Sequence, residues 1–236
     1  MNKVDSFDEI YSDGSYLASN PTWHEEDSPW KASQIQKMLD RNSLTPKTIC
    51  EIGCGVGEIL NTLSINNENT SFFGYEISSQ AFELSKKKTK PNLTFKLADL
   101  LEEDSAYFDM VMAIDVIEHV EDYFGFLRKM QDKGEYKIFH IPLDLSLQRV
   151  FRASKLTELR RGLGHIQYFT KETALETLKD TGYEIVDHFY TPGALELPVK
   201  YWTQHVWKLP RKLAFKMNED LAVRVLGGYS LLVLTK

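Results

Sequence analysis

The chain has 236 residues, 42% of them hydrophobic and 26% charged, with a formal net charge of −6 at pH 7. This is an ordinary globular composition, long enough for one α/β domain with an elaboration. It argues against nucleic-acid binding through the whole surface, and no apolar run reaches the ~18–20 residues that span a bilayer. The first residues, Met-Asn-Lys-Val-Asp-Ser, lack the apolar core of a signal peptide. The two cysteines, Cys50 and Cys54, have no His or Cys neighbours at zinc-like spacing. They read as reduced packing residues, with the cytoplasm as the default compartment.

Residues 1–27 are polar and aromatic, with turn formers at Asp13-Gly14 and Asn20-Pro21. Ser28-Pro29 opens a helix in which Ile35, Met38 and Leu39 share a face. Strands follow at 49–52, 72–75, 93–97, 110–114 and 137–141, separated by helical stretches at 58–64, 79–88 and 121–131. In the last stretch Val120, Phe124, Leu127 and Met130 recur at helical spacing, and Gly134 is expected to stop the helix. Lys86, Lys87 and Lys88 read as a solvated helix end. Such alternation implies βαβ units and a parallel sheet with helices on both faces.

After the fifth strand the rhythm changes. Residues 142–169 form a long connection carrying Arg149, Arg152, Lys155, Arg160 and Arg161. A helix at 170–180, a strand at 184–190, an insertion at 191–224 and a closing strand near 228–234 complete the chain. In the insertion Trp202, Val206, Leu209 and Leu213 share a helical face beside Lys208, Arg211, Lys212 and Lys216. It is expected to be an amphipathic cover with a solvated basic face; an anionic membrane, a carrier or a partner is the alternative use.

The densest information lies in residues 48–57, Thr-Ile-Cys-Glu-Ile-Gly-Cys-Gly-Val-Gly. A glycine turn after a strand lets the backbone approach a ligand closely. The dinucleotide version needs its third glycine three residues after the second, and that position holds Glu58. Glu51-x-Gly53-x-Gly55-x-Gly57 instead resembles the first motif of class I S-adenosylmethionine (SAM) methyltransferases. Glu76 after the second strand, Asp99 after the third, and the strand 108–114 running through Asp115 into Val116-Ile117-Glu118-His119-Val120 resemble the next three motifs. The pattern covers roughly residues 48–141, continuing more loosely through 164–170.

The resemblance implies a Rossmann-like α/β fold: a seven-stranded, mostly parallel sheet flanked by helices, with the last strand antiparallel. Residues 1–47 would form an N-terminal helical segment over the cofactor site. Residues 48–236 would form the methyltransferase domain, with insertions at 142–169 and 191–224. It also implies that Glu51, Gly53, Gly55 and Gly57 hold the methionine end of SAM. Glu76 would accept the ribose hydroxyls, one per carboxylate oxygen, with Ile77 beside it. Asp99 would bind the adenine amino group, Leu100 would pack on the ring or offer its N–H, and Asp115 would lie at the strand end near the sulfonium. Taken singly, Asp99 could equally be a turn former and Glu76 a neighbour of a helix cap.

Methyl transfer from an activated donor needs chiefly placement, and an oxygen nucleophile also needs a base or a metal. The base candidates are His165 and His140, with His119 a third; His165 is preferred because a loop histidine over the strand ends can face a substrate. Asp115-x-x-Glu118-His119, joined by His165, resembles the Mg²⁺ cluster of small-RNA terminal 2′-O-methyltransferases and some ubiquinone-pathway O-methyltransferases. Glu-His-Val also occurs in metal-free methyltransferases, and Asp115 stands where the metal enzymes carry Glu, so Mg²⁺ stays open and is not favoured. Asn20-Pro21-Thr22-Trp23-His24 and Trp30-Lys31 are expected either to fold over the cofactor or to clamp the core. The reading is SAM-dependent methylation of an oxygen or nitrogen on a small-molecule acceptor, without nucleic acid or a membrane span. The alternatives are a metal-assisted RNA-end 2′-O-methyltransferase and an inactive SAM-binding partner or regulator. The sequence carries no code for the acceptor or the oligomeric state.

Overall fold

A computed structural model describes residues 25–152, 154–198 and 202–236. Seven strands form one sheet: β1 (Thr48–Ile52), β2 (Ser71–Glu76), β3 (Leu93–Leu97), β4 (Phe108–Ile114), β5 (Gly134–Pro142), β6 (Ile185–Thr191) and β7 (Ser230–Thr235). Their order is β3-β2-β1-β4-β5-β7-β6. β1 to β5 pair in parallel, while β7 runs antiparallel to both β5 and β6. The helices are α1 (Ser28–Arg41), α2 (Glu58–Asn66), α3 (Ser79–Ser85), α4 (Tyr123–Gln131), α5 (Leu147–Phe151), α6 (Ser154–Gly162), α7 (Lys171–Asp180), α8 (Gly193–Glu196), α9 (Trp202–Met217) and α10 (Glu219–Leu226).

Strand alternation divides the core into two layers. In β4, Met110, Met112 and Ile114 face one side, where α1 contributes Ala32, Ile35, Met38 and Leu39 and α2 contributes Ile59, Leu60 and Leu63. Val111 and Ala113 face the other side, against Leu127 and Met130 of α4 and Ala174 and Leu178 of α7. The period of two in a strand meeting the 3.6-residue period of a helix produces this sandwich. Glu51 shares the α1 side with Ile49, its neighbour two residues back, so its carboxylate is buried under α1.

Three local expectations change. Gly134 does not stop α4; it opens β5, and a Cβ there would lie 2.8 Å from Val111 Cγ2 and 2.9 Å from the Phe108 carbonyl. Its smallness serves sheet packing rather than helix termination. Lys88 is not a solvated helix end: its ammonium reaches Glu25 at 2.6 Å, Glu58 at 3.0 Å and the Val56 carbonyl at 3.0 Å. In α9 Lys212 and Lys216 are exposed as expected, but the apolar and basic residues do not separate into a buried and a solvated face. Val206, Leu209 and Leu213 are all more than half exposed, whereas Arg211 turns inward to Gln148 and the Leu226 carbonyl. The expected turns at 13–14 and 20–21, the segment from Asn20 to His24, and the Trp202 side chain lie outside what the structure describes.

Candidate active site

The order β2-β1-β4 places the topological switch point between β1 and β4, the crevice where open α/β sheets bind ligands. β1 ends there in the glycine turn. The N–H groups of Gly53 and Cys54 both donate to the Tyr75 carbonyl, at 2.9 and 3.1 Å, tying the turn to the end of β2. Gly55 has φ +52°, and a Cβ built on it would meet nothing within 4 Å. Its open side is therefore room beside the backbone. Gly57 has the opposite requirement: φ is +75° and a Cβ would strike the Phe95 ring at 2.4 Å.

Glu76 is buried and binds the turn from the β2 side, accepting from Gly55 N–H at 2.8 Å on Oε2 and from Ser78 N–H at 2.7 Å on Oε1. Each oxygen keeps a second lone-pair direction. Burial raises its carboxyl above the ordinary range, opposed by these donors. Ile77 (61% exposed), just after β2, and Leu97 (48% exposed), the last residue of β3 and paired with Glu76, leave apolar side chains open at these strand ends. Asp99 is exposed and caps a 3₁₀ turn, accepting from Leu101 N–H at 2.9 Å. Leu100 is fully buried in the core, so its side chain cannot pack on a ligand ring, and only its backbone N–H remains for that role.

Glu51 is fully buried, and its Oε2 has no hydrogen-bond partner among the described residues. Burial lifts its carboxyl to about 8, against the pull of Lys31. Lys31, from α1, reaches Asp115 at 2.7 Å. Burial opposes the lysine's charge, but Asp115 more than offsets this and raises it. Asp115 sits at φ +54°, a region that a non-glycine residue occupies at some cost, as is common at functional sites. Burial alone would raise its carboxyl, but His140 and Lys31 hold it well below the usual aspartate range.

His140 is buried with both ring nitrogens engaged, Nδ1 to Asp115 at 2.5 Å and Nε2 to Thr191 Oγ1 at 2.8 Å. The expected role as base is therefore corrected: no nitrogen faces an acceptor, and His140 instead positions Asp115. Asp115 also leaves the expected metal cluster, because its oxygens go to His140 and Lys31.

A different trio converges. The 3₁₀ turn Ile117–His119 presents Glu118 and His119, and Ile166 and Gln167 N–H donate to the Glu118 carbonyl at 2.8 and 3.0 Å. This docking brings His165 alongside, with donor atoms of Glu118, His119 and His165 all within 4.8 Å of one another. His165 Nδ1 donates to Asp144 at 2.7 Å and His119 Nδ1 donates to the Gly164 carbonyl at 3.1 Å. Both tautomers are thereby fixed with the lone pair on Nε2. Burial lowers His165 to about 4. Glu118 is fully buried and both its oxygens lack hydrogen-bond partners among the described residues. Burial and the Asp115 charge push its carboxyl well up.

A buried carboxylate is costly without a partner. The orphaned pair of oxygens between two oriented imidazoles fits a divalent cation. Two nitrogens and one carboxylate suit Mn²⁺, Fe²⁺ or Zn²⁺ better than Mg²⁺, which prefers oxygen. Asp144 and Thr191 carried no signal in the sequence beyond their places after β5 and at the end of β6. Lys31 was visible only as part of Trp30-Lys31.

A family model described as a methyltransferase domain matches residues 23–188. No curated protein sequence matches the chain. Among solved structures, magnesium protoporphyrin IX methyltransferase from Synechocystis PCC 6803 with bound SAM aligns at TM-score 0.64 and 14% identity, over 100% of this chain and 99% of that one. N-methyltransferase NodS from Bradyrhizobium japonicum WM9 with S-adenosylhomocysteine aligns at TM-score 0.62 and 16% identity, over 98% of each chain. A putative methyltransferase complexed with the Haloferax volcanii activator Trm112 aligns at TM-score 0.61 and 14% identity, over 99% of this chain and 98% of that one. At such identities the likeness is one of fold. With the matched model covering more than half of the sequence, and the glycine turn at the switch point of this sheet, the chain belongs to the methyltransferase-domain family of class I SAM-dependent enzymes.

Proposed function

We propose that the chain transfers the SAM methyl group to an oxygen or nitrogen of a small-molecule acceptor. The observation that carries this reading is the cradle at Gly55: a backbone turn whose open side adjoins room for a ligand, with Glu76 bound to its N–H. Bound SAM supplies an already activated methyl group. Glu51, with its unpartnered oxygen, would hold the ammonium of the methionine end, and Lys31 offers a counter-charge to its carboxylate. Glu76 would accept the ribose hydroxyls on its remaining lone pairs. Ile77 and Leu97 would flank the adenine, with Asp99 beside them. His165, with its lone pair on Nε2, is the group suited to take a proton from the acceptor.

Calorimetry tests the cofactor assignment. S-adenosylhomocysteine should bind and NAD should not, and Glu76→Ala should weaken the former about tenfold or more, since hydrogen bonds to a charged group are lost. NAD binding more tightly than S-adenosylhomocysteine would sink the reading. Labelled SAM with a panel of metabolites then identifies the acceptor.

The orphaned Glu118 oxygens favour a second reading, an alternative to His165 as base: a divalent cation held by Glu118, His119 and His165, in which the Nε2 lone pair of His165 goes to the ion and not to the acceptor's proton. Such an ion would act as a Lewis acid, lowering the pKa of an acceptor hydroxyl. Mn²⁺ binding followed by electron paramagnetic resonance, in wild type and Glu118→Gln, tests it apart from activity. Equal Mn²⁺ binding by the two proteins would remove the site.

A further inference from the structure

A cavity of about 440 Å³ opens beyond the end of β5, between α5, α6 and α9. Four of its wall residues are cationic: Arg149, Arg152, Lys155 and Arg211. Two of these charges are already matched, Lys155 by Glu158 at 2.5 Å and Arg149 by Asp144. Among the described residues, no ion pair with a carboxylate is formed by Arg152 or Arg211. Arg211 instead donates to Gln148 and to the Leu226 carbonyl, at 3.2 and 3.1 Å, which fix its guanidinium toward the cavity without neutralising it. Burial and the charge of Arg211 both lower Arg149, so the two guanidiniums are crowded together. Leu159 and Leu163 supply an apolar wall.

Like charges crowded in a partly dry pocket repel each other, and an anion relieves that repulsion with charge-assisted, bidentate hydrogen bonds. In a chain whose net charge is −6, this is a local reversal of sign that would draw an anion to one place. The pocket is also joined to the candidate active site. Asp144 accepts from Arg149 on one oxygen and from His165 on the other, so one carboxylate links the cationic wall to the proposed base.

We propose that this pocket holds a carboxylate or phosphate group of the methyl acceptor, orienting the rest of that molecule toward His165. The proposal rests on the methyltransferase reading for the identity of its ligand, but the anion site itself can be measured independently. Nucleic acid is the less suitable phosphate source. The cations converge on one half-open pocket that also carries Glu158, and the overall charge repels a polyanion.

The experiment is calorimetry at low ionic strength with inorganic pyrophosphate as probe, on protein saturated with S-adenosylhomocysteine. Wild type should bind pyrophosphate at one site. Arg152→Gln and Arg211→Gln should each weaken that binding about tenfold or more while leaving S-adenosylhomocysteine affinity intact. Arg152 makes no ion pair among the described residues, so its variant should keep the wild-type melting temperature even where Arg211→Gln does not. No pyrophosphate binding by wild type, or equal binding by wild type and Arg152→Gln, overturns the proposal. An oligoribonucleotide that binds more tightly than pyrophosphate and is lost in the same variants overturns it in favour of RNA. Labelled SAM with acceptors offered as free acids and as their methyl esters completes the test. The acid should be preferred about tenfold or more in kcat/KM by wild type, and the preference should vanish in Arg152→Gln; equal use of the ester by wild type overturns the assignment. Failure of S-adenosylhomocysteine to bind, with pyrophosphate binding intact, would defeat the methyltransferase reading and leave the anion site standing.

Discussion

Glu51 is the residue whose chemistry departs furthest from what its identity suggests. With its carboxyl lifted to about 8 by burial, it is mostly protonated at pH 7 in the free protein. An ammonium brought against it would stabilise the carboxylate and expel the proton. Binding of S-adenosylhomocysteine at pH 7 is therefore expected to release on the order of one proton, which calorimetry in buffers of different ionisation enthalpy measures. Zero release would mean that Glu51 does not meet the ammonium. His165 has the opposite displacement, down to about 4 by burial, so it stays neutral through the physiological range. If it takes the acceptor's proton, the rate should stay level from about pH 8 down to 5 and fall only as pH drops through about 4. His165→Ala should lower kcat about 10²–10⁴-fold with S-adenosylhomocysteine affinity nearly unchanged. A rate falling near the ordinary histidine value would assign the proton to another group. The glycine turn after β1 was legible as a turn because a strand end running into glycines has a local code. The engagement of His140 is not legible in the sequence, because Thr191, which occupies its second nitrogen, lies 51 residues away on β6.

At the scale of elements, the glycine turn separates two requirements that the sequence presents as one. Gly55 faces open room, whereas Gly57 faces Phe95 of β3. Gly55→Val should therefore abolish S-adenosylhomocysteine binding with only the modest destabilisation that its positive φ imposes. Gly57→Ala should lower the melting temperature more, by an overpacking penalty of about 1–3 kcal/mol added to the same backbone strain. Thermal unfolding of the two variants without ligand checks the order, and a more stable Gly57→Ala would mean that the Phe95 contact relaxes freely. The βα alternation made β1 to β5 readable, since each strand's apolar run is local. The insertions were not readable, because helical periodicity shows that a face is apolar without showing where it points. In α9 Val206, Leu209 and Leu213 lie in solvent while Phe215 packs on the core, and Arg211 is turned inward, held by partners on α5 and α10 that no periodicity reveals. α1 was expected from its face of Ile35, Met38 and Leu39, but its bonds from Trp30 to Glu196 and from Arg41 to Asp187 join residues about 150 positions apart.

For the whole molecule, the buried titratable groups set how stability depends on pH, and their signs can be worked out. Folded Glu51 keeps its proton up to about 8 while the unfolded chain releases it near 4.5, so stability falls as pH rises through that window. Glu118, pushed up by burial and Asp115, acts in the same direction. His165 acts in the opposite sense: the unfolded chain takes up a proton near 6.5, the folded one only near 4, so stability falls as pH drops between them. From about pH 4.5 to 6.5 the opposed slopes partly cancel. Above 6.5 the histidine no longer contributes, and the carboxyls act alone. The melting temperature of the free protein is therefore expected to fall gently as pH rises near 6 and more steeply between pH 6.5 and 8.5. Glu51→Gln should reduce that alkaline slope, and the double variant with Glu118→Gln should flatten it further, because an amide has no proton to lose in this range. Saturating S-adenosylhomocysteine should have a related effect in wild type, since it would bind best to the ionised form of Glu51. Ligand stabilisation should thus grow as pH rises toward 8, whereas in Glu51→Gln it should be weaker and independent of pH. An alkaline slope identical in wild type and Glu51→Gln would show that the carboxyl is ionised in the free protein, and would remove both this dependence and the expected proton release.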